Sequence, residues 1–320
     1  MPPLLIRLAA PSRLHFGLFS FGGSGRQFGG VGVMIERPSL EVSVEPAETF
    51  SVVGPLSHRA RKFANAWAQF YSLAEPPPCV LTIHAAPPEH VGLGTGTQLG
   101  LSVAAALYRF TGQPLPGAAE LAASVGRGLR SAVGTYGFLA GGLIVERGKL
   151  PGELLSPLDC RLDLPAEWRF VLLRPATAAA VFGDDERLAF AQLPAVPADV
   201  TAQLIAEVRD RLVPAAARGE FDEFSESMFQ FGRLAGACFA ARQGGPYNGP
   251  QLAALVELVQ SLGVCGVGQS SWGPTLFALS PDQASADQFV AKLRAACPGD
   301  ELNIEISPPS NSGVCVEVEE

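Results

Sequence analysis

One stretch constrains this chain more than any other: "HVGLGTGTQLGLSVAAAL", residues 90–107. Gly92, Gly94 and Gly96 stand in front of an alanine-rich run. Leu99, Val103, Leu107 and Phe110 fall on one helical stripe, and Gly100 with Ala104 permits close approach by a neighbour. The run from about Thr97 to Phe110 therefore reads as a buried helix entered through a glycine turn, with Gly112 and Pro114 as its stop signals. The turn itself has two readings. It is a loop that holds an anion, or a tight bend packed against a sheet.

The rest of the chain supplies that sheet. "LLIRLAAPSRLHFGLFSF" reads as a strand interrupted by Pro11, and "GGVGVMIERPSLEVSVEP" alternates through Leu40, Val42 and Val44. "CVLTIHAAPP" is a strand ended by prolines, and "GGLIVERG" another. Phe63, Trp67, Phe70 and Tyr71 recur at helical spacing, with Arg59, Arg61 and Lys62 as the solvated face of that helix. "PGAAELAASVGRG" reads as a further helix.

Composition turns to Pro, Gly and Asp around residues 150–165, which divides the chain into domains at 1–160 and 161–320. After "WRFVLLRP", helices are expected near 184–192, 199–218, 220–241, 249–262 and 282–296. "VCGVGQSSWGPTLFAL" is a strand–loop–strand or strand–loop–helix unit, and strands "ELNIEIS" and "GVCVEVEE" close the chain. Strands and helices mix without regular βαβ alternation, which indicates an α+β fold.

Several function classes drop out. A net charge of −8 with no long Lys/Arg tract argues against a nucleic-acid partner. No apolar stretch reaches the roughly 20 residues that cross a bilayer, and Arg7 and Arg13 break the apolar N-terminus. The six cysteines are scattered without a C-x-x-C pair, so they read as reduced thiols of a cytoplasmic protein. Four histidines without an H-x-x-x-H pattern offer no zinc site.

The glycine turn matches neither common phosphate motif. It has no lysine for a Walker loop, and Thr97 or Leu99 stands where the dinucleotide fingerprint needs its third glycine. Its chemistry still suits an anion. Gly92, Gly94 and Gly96 let a ligand approach the backbone, Thr95, Thr97 and Gln98 donate hydrogen bonds, and a helix N-terminus presents unpaired N–H groups.

"APPEHVGLGTGTQLGLSVAAAL" resembles the P-x-x-x-G-L-G-S-S-A-A loop of the GHMP small-molecule kinase superfamily, and "APSRLHFGL" and "VCGVGQSSWGPTLFAL" resemble its first and last motifs. "RLHFGL", "GGVGV", "HVGLGTGTQ", "GTYGFLAGGLIVERG" and "GQSSWGPT" together are similar to a non-kinase branch, the β-ribofuranosylaminobenzene 5′-phosphate synthase family. The resemblance implies an N-terminal domain like ribosomal protein S5 domain 2 and a ferredoxin-like C-terminal domain. It implies the joining of phosphoribosyl pyrophosphate to 4-aminobenzoate or 4-hydroxybenzoate, with loss of carbon dioxide and pyrophosphate, in tetrahydromethanopterin biosynthesis. Mg²⁺ is the implied cofactor, small molecules are the partners, and a homodimer is the expected assembly.

Where the kinases carry an aspartate, "RSAVGTYGFLAGG" places Gly134, and no Asp or Glu lies between Glu120 and Glu146. Arg13 replaces the kinases' motif lysine and His15 the asparagine. Arg13 and Arg26, the latter set in "GGSGRQFGG", are expected to meet pyrophosphate or the benzoate carboxylate. His15 either contacts substrate or is a satisfied buried histidine. Gln269, Ser270, Ser271 and Trp272 are expected at the substrate, with Trp272 stacking on the aromatic acceptor or packing under the loop. Glu186, in "FGDDERLAF", is a candidate metal ligand, although acids there also suit a helix first turn. Ser20 stands where archaeal members of the family tend to carry an acid. A true kinase with its base recruited from elsewhere, and a non-catalytic phosphate-binding relative, remain the alternatives.

Overall fold

A computed structural model describes residues 5–176, 190, 192–297 and 302–319. The first sheet is built on two long strands, β1 (Leu5–Leu18) and β2 (Gly30–Pro46). Ile6, Leu8 and Ala10 point inward and Arg7 and Ala9 outward, the period-2 pattern of a half-buried strand. Pro11 does not end β1. The pairing slips between Ala10, opposite Leu40, and Ser12, opposite Ile35, so Pro11 and Pro38 both sit in a bulge. The strand continues past the bulge and carries Arg13 and His15 into the middle of the molecule.

Strands β3 (Ser51–Val53) and β4 (Cys79–Ala85) extend one edge, and β5 (Leu143–Glu146) and β6 (Leu158–Leu162) extend the far end of β2. Helices α1 (Ser57–Phe70) and α2 (Thr95–Phe110) pack on this sheet. Leu99, Val103 and Leu107 are fully buried, as their stripe requires. A Cβ on Gly100 would stand 3.2 Å from the Phe63 ring, which explains a glycine there. Helix α2 begins two residues before the expected start, because Gly94 takes the N-cap position in the left-handed region (φ 73°). Short helices α3 (Ala118–Ser124) and α4 (Val133–Ala140) follow.

The second sheet has the order β10–β7–β9–β8, with β7 Arg169–Pro175, β8 Val267–Gln269, β9 Leu276–Ser280 and β10 Leu302–Ser307, all antiparallel. "VCGVGQSSWGPTLFAL" is thus the strand–loop–strand alternative. Helices Ala198–Glu207, Val213–Arg218, Phe221–Ala237, Pro250–Ser261 and Gln283–Ala296 lie close to the expected positions. The helix expected near 184–192 lies mostly outside the described residues.

The division at residue 160 meets two crossings. Strand β6 spans it, and the last strand, β11 (Cys315–Glu319), returns to pair with β1 from Leu5↔Glu319 to Ala9↔Cys315. One apolar cluster also joins the halves, with Leu14, Phe16 and Val31 against Phe170, Phe231 and Phe277. The Phe16 and Phe277 rings lie 5.2 Å apart. Among the described residues no helix is long and apolar enough to cross a membrane.

Candidate functional site

A cavity of about 540 Å³ opens where β1, the residues after α3, the helix Phe221–Ala237 and the loop after β8 meet. That volume suits a small-molecule ligand. Its wall carries both cationic and aromatic side chains. Arg13, Arg127 and Arg130 line it, as do Phe190, Phe239 and Trp272. The Trp272 ring stands edge-on to Phe239 at 4.8 Å and to Phe190 at 5.6 Å. The Arg130 guanidinium lies 4.8 Å over the Phe190 ring. Among the described lining residues there is no Asp or Glu, and Gly134, which the sequence resemblance sets against the kinases' aspartate, is part of the wall.

Of the expected phosphate-binding residues, Thr97 lines the cavity and the others stand behind it. Gly92 (φ 91°) and Gly94 (φ 73°) hold the left-handed backbone that turns the chain into α2. Guanidinium groups gather on this turn. A Cβ on Gly94 would stand 3.0 Å from Arg13 Nε, and Arg127 Nη2 donates to the Gly96 carbonyl at 2.8 Å. Arg59, expected on a solvated helix face, instead turns onto Gly96 and pairs with Glu89. The helix dipole and these cations favour negative charge at the same place. Thr95 Oγ1 donates to the Pro88 carbonyl at 2.9 Å, and Gln98 Nε2 donates to Gly134 O at 3.0 Å. Both side chains fix the loop and α4 rather than face a ligand.

The loop after β8 is a clasp between the halves. Ser270 Oγ donates to Gly92 O at 2.6 Å and accepts from the His15 N–H at 3.0 Å, while Ser271 N–H donates to His15 O at 3.0 Å. Gln269 accepts from Asn248 N–H and donates to Ser271 O. Gln269, Ser271 and Trp272 line the cavity; Ser270 is fully buried behind it.

Arg26 does not line the cavity. Its guanidinium is bonded to both Glu153 carboxylate oxygens, at 2.8 and 3.1 Å, and to the Gly148 carbonyl at 2.7 Å. Ser20 closes the same loop by donating to Arg26 O at 2.5 Å. The glycine setting singled out the right kind of loop, but a carboxylate 127 positions away in the chain takes the arginine. Glu186 lies outside the described residues.

His15 lines the cavity from β1 and is 5% exposed. Burial, and then the Arg13 charge, hold its pKa well below the usual histidine range, so the imidazole is neutral. Its Nε2 lies 3.1 Å from Ser131 Oγ. Ser131 Oγ donates to Glu146 Oε1 at 2.5 Å, and Glu146 Oε2 accepts the Ala132 N–H at 2.8 Å. Glu146 is fully buried, which pushes its carboxyl up to about 7 despite those hydrogen bonds.

Arg127, Arg130, Ser131, Glu146, Phe190 and Phe239 were not marked by the sequence reading. The signal for the first three was "GRGLRS", a glycine-flanked arginine run like the one that marked Arg26.

The comparisons with known proteins agree with this architecture. Residues 212–299 match the family model described as GHMP kinases C terminal. Beta-ribofuranosylphenol 5'-phosphate synthase of Archaeoglobus fulgidus is 30% identical over 98% of this chain and 100% of its own length. Its namesake from Methanothermobacter thermautotrophicus is 29% identical over 85% of this chain and 88% of its own. Among solved structures, a homoserine kinase from Cytophaga hutchinsonii superposes with a TM-score of 0.70 at 14% identity, covering 98% of this chain and 97% of that one. Lactococcus lactis galactokinase gives 0.69 at 13% identity, over 97% and 95%. The fold is that of the GHMP kinases.

Proposed function

Because the chain belongs to the beta-ribofuranosylphenol 5'-phosphate synthase family and is an enzyme, we propose that it makes a C-riboside 5′-phosphate of a phenol from phosphoribosyl pyrophosphate and 4-hydroxybenzoate. The relatives are named for a ribofuranosylphenol product, which favours 4-hydroxybenzoate over 4-aminobenzoate as the acceptor. The product is the aryl riboside that the sequence resemblance ties to tetrahydromethanopterin synthesis. The observation that carries this reading is one cavity with three arginines and the cluster of Phe190, Phe239 and Trp272 on its wall and, among its described lining, no carboxylate.

The transition state has oxocarbenium character at ribose C1 while pyrophosphate leaves. Arg13, Arg127 and Arg130 neutralise the leaving group from fixed positions, the electrostatic work that dominates such a step. Phe190, Phe239 and Trp272 seat the acceptor ring and hold its carboxyl-bearing carbon against C1. Loss of carbon dioxide then restores aromaticity. A kinase would need a carboxylate at the acceptor hydroxyl. The Gly134 position argues for ribosyl transfer instead.

Among the described residues no three His, Cys, Asp or Glu side chains gather as a metal site, and a Mg²⁺ carried by the donor's phosphates would need few protein ligands. Arginines supply the cationic charge in this reading.

Carboxyl-labelled 4-hydroxybenzoate tests it. Incubated with phosphoribosyl pyrophosphate and Mg²⁺, the protein is expected to release labelled carbon dioxide and pyrophosphate. Retention of label in a ribosylated or phosphorylated product would overturn the reading.

A further inference from the structure

Glu146 is a fully buried carboxylate with no arginine or lysine in hydrogen-bond contact in the described structure. Burying such a group is costly unless it is paired and hydrogen-bonded. Its surroundings are hydroxyls and backbone. Ser131 and the Ala132 N–H come from the start of α4, and the Ser156 hydroxyl from the loop before β6. Tyr136 is the titratable neighbour that feels its charge, and Arg13 is the charge that acts on His15.

The donors and acceptors at Ser131 leave little freedom. Its Oγ accepts the Val133 N–H at 3.2 Å and gives its own proton to Glu146 Oε1. With Glu146 ionised, its remaining lone pair can only accept, so His15 presents Nε2–H to it and keeps a lone pair on Nδ1. With Glu146 protonated, the carboxyl O–H donates to Ser131, Ser131 donates to His15 Nε2, and the imidazole proton moves to Nδ1. The charge state of a group outside the cavity therefore sets the tautomer of a histidine that lines it.

We propose that Glu146, Ser131 and His15 form a proton relay into the cavity, and that His15 holds the 4-hydroxyl proton of the acceptor during ring attack. The assignment of the acceptor rests on the ribosyl-transfer reading; the relay itself does not. In the step, the phenol O–H bond breaks and its proton passes to the His15 Nδ1 lone pair while the Nε2 proton moves to Ser131 and the Ser131 proton to Glu146, so the imidazole stays neutral. The ring carbon para to that oxygen forms a bond to ribose C1 as the C1–O bond to pyrophosphate breaks, and pyrophosphate leaves with that electron pair. The carboxylate leaves as carbon dioxide, and its C–C electrons go back into the ring. His15 then returns the proton to the phenolate oxygen. No proton is gained or lost overall. Glu146 and Ser131 act as positioning residues, because they touch His15 and not the substrate.

Nitrogen-15 histidine spectra test the relay without turnover. The protein has four histidines, and loss of one signal set in His15→Gln assigns His15. From about pH 8.5 down to about 5.5 the His15 signals of the wild type are expected to change from the Nε2–H to the Nδ1–H pattern, centred near the value of about 7 that Glu146 carries. In Glu146→Gln the amide donates permanently to Ser131, so the Nδ1–H pattern is expected at every pH. A wild-type tautomer that ignores pH, or that Glu146→Gln leaves unchanged, overturns the relay.

Turnover supplies the second arm. Ser131→Ala keeps the carboxylate but breaks the chain, and Glu146→Gln locks it. Each is expected to lower kcat with 4-hydroxybenzoate about 10²-fold, with the KM for the donor unchanged and the pH dependence near neutrality lost. An equal loss at all pH values, with the wild-type profile kept, would show packing alone. Wild-type protein that releases no labelled carbon dioxide but shows the tautomer change would remove the acceptor assignment and keep the relay.

Discussion

Arg26 and Arg130 sit in loops that look alike as sequence, "GSGRQFGG" and "GRGLRSAVG", yet Arg130 lines the cavity and Arg26 does not. Each loop has a glutamate beside it. In the first, Glu153 bonds the arginine itself. In the second, Glu146 bonds the neighbouring Ser131 and the Ala132 N–H, while Arg127 and Arg130 face the cavity. Glycines around an arginine make a close approach feasible. For Arg26 that approach is made by Glu153, delivered from 127 positions away in the chain.

The largest effect should separate the two loops directly. Arg130→Ala is expected to lower kcat/KM about 10²–10³-fold, the loss of one preorganised cation worth roughly 3–4 kcal/mol of transition-state stabilisation. Arg26→Ala is expected to stay within about twofold of wild type, as for a partly exposed ion pair. Steady-state kinetics on both variants decides. Equal losses would erase the distinction between the loops.

The two glutamates should differ in sign as well as place. Arg26 and the Leu150 N–H hold the Glu153 carboxyl below its usual range, whereas burial raises Glu146 to about 7. A raised acid is protonated in the folded protein while the unfolded chain has already released its proton. Stability therefore falls as pH rises from about 4.5 to about 7 and is level above that. Over that window Glu146 loses about 3 kcal/mol. Denaturant midpoints of Glu146→Gln and wild type should diverge by that order across the window, the variant being the more stable at alkaline pH. Parallel curves would mean that the carboxylate is paired in a way the hydrogen bonds do not show.

A matched pair of glycines sharpens the role of the third arginine. Gly94 and Gly112 share nearly the same backbone, φ 73° and 72°. A Cβ at Gly112 meets nothing within 4 Å, whereas one at Gly94 presses on Arg13. Replacing either with alanine should cost about 1–2 kcal/mol of stability through the left-handed backbone. Only Gly94→Ala is expected to weaken binding of phosphoribosyl pyrophosphate as well, by about tenfold, in a calorimetric titration. Equal donor affinity in the two variants would make the glycine turn a packing device alone.

These contrasts also show what was legible in the sequence. Helix α2, its stripe and its glycine entry follow from spacing, because that segment's burial is periodic and local. Pro11 reads as an interruption in sequence and is a bulge in the structure, because whether a proline ends a strand depends on the partner, and Pro38 lies 27 positions from Pro11. Arg13 and His15 were found by motif, and Trp272 by its loop. Arg127 and Arg130 carry a signal in "GRGLRS", the same kind that marks Arg26. Glu146 carries none, because its role comes from contacts between β1, β5 and the residues at the start of α4, which no short window contains. The stretch without acids between Glu120 and Glu146 lacks the kinases' base. The residue that ends it turns out to be the buried carboxylate behind His15.

The smallest expected effect is the most discriminating test of the Arg26 loop. Glu153→Gln removes the charge that holds Arg26 but keeps a side chain of the same size that can still accept from it. The loop has other ties, since Arg26 also donates to Gly148 O and Ser20 Oγ donates to Arg26 O. The backbone should therefore stay in place, and stability should change little. If Arg26 had a part in binding pyrophosphate, releasing it from Glu153 would strengthen donor binding. If the carboxylate merely pins a loop away from the cavity, donor affinity and kcat should both match wild type within about twofold. A titration showing clearly tighter donor binding in Glu153→Gln would return Arg26 to the site and make Glu153 its competitor. Unchanged binding, alongside the loss at Arg130, would leave the position of each glutamate as the difference between two loops of nearly the same composition.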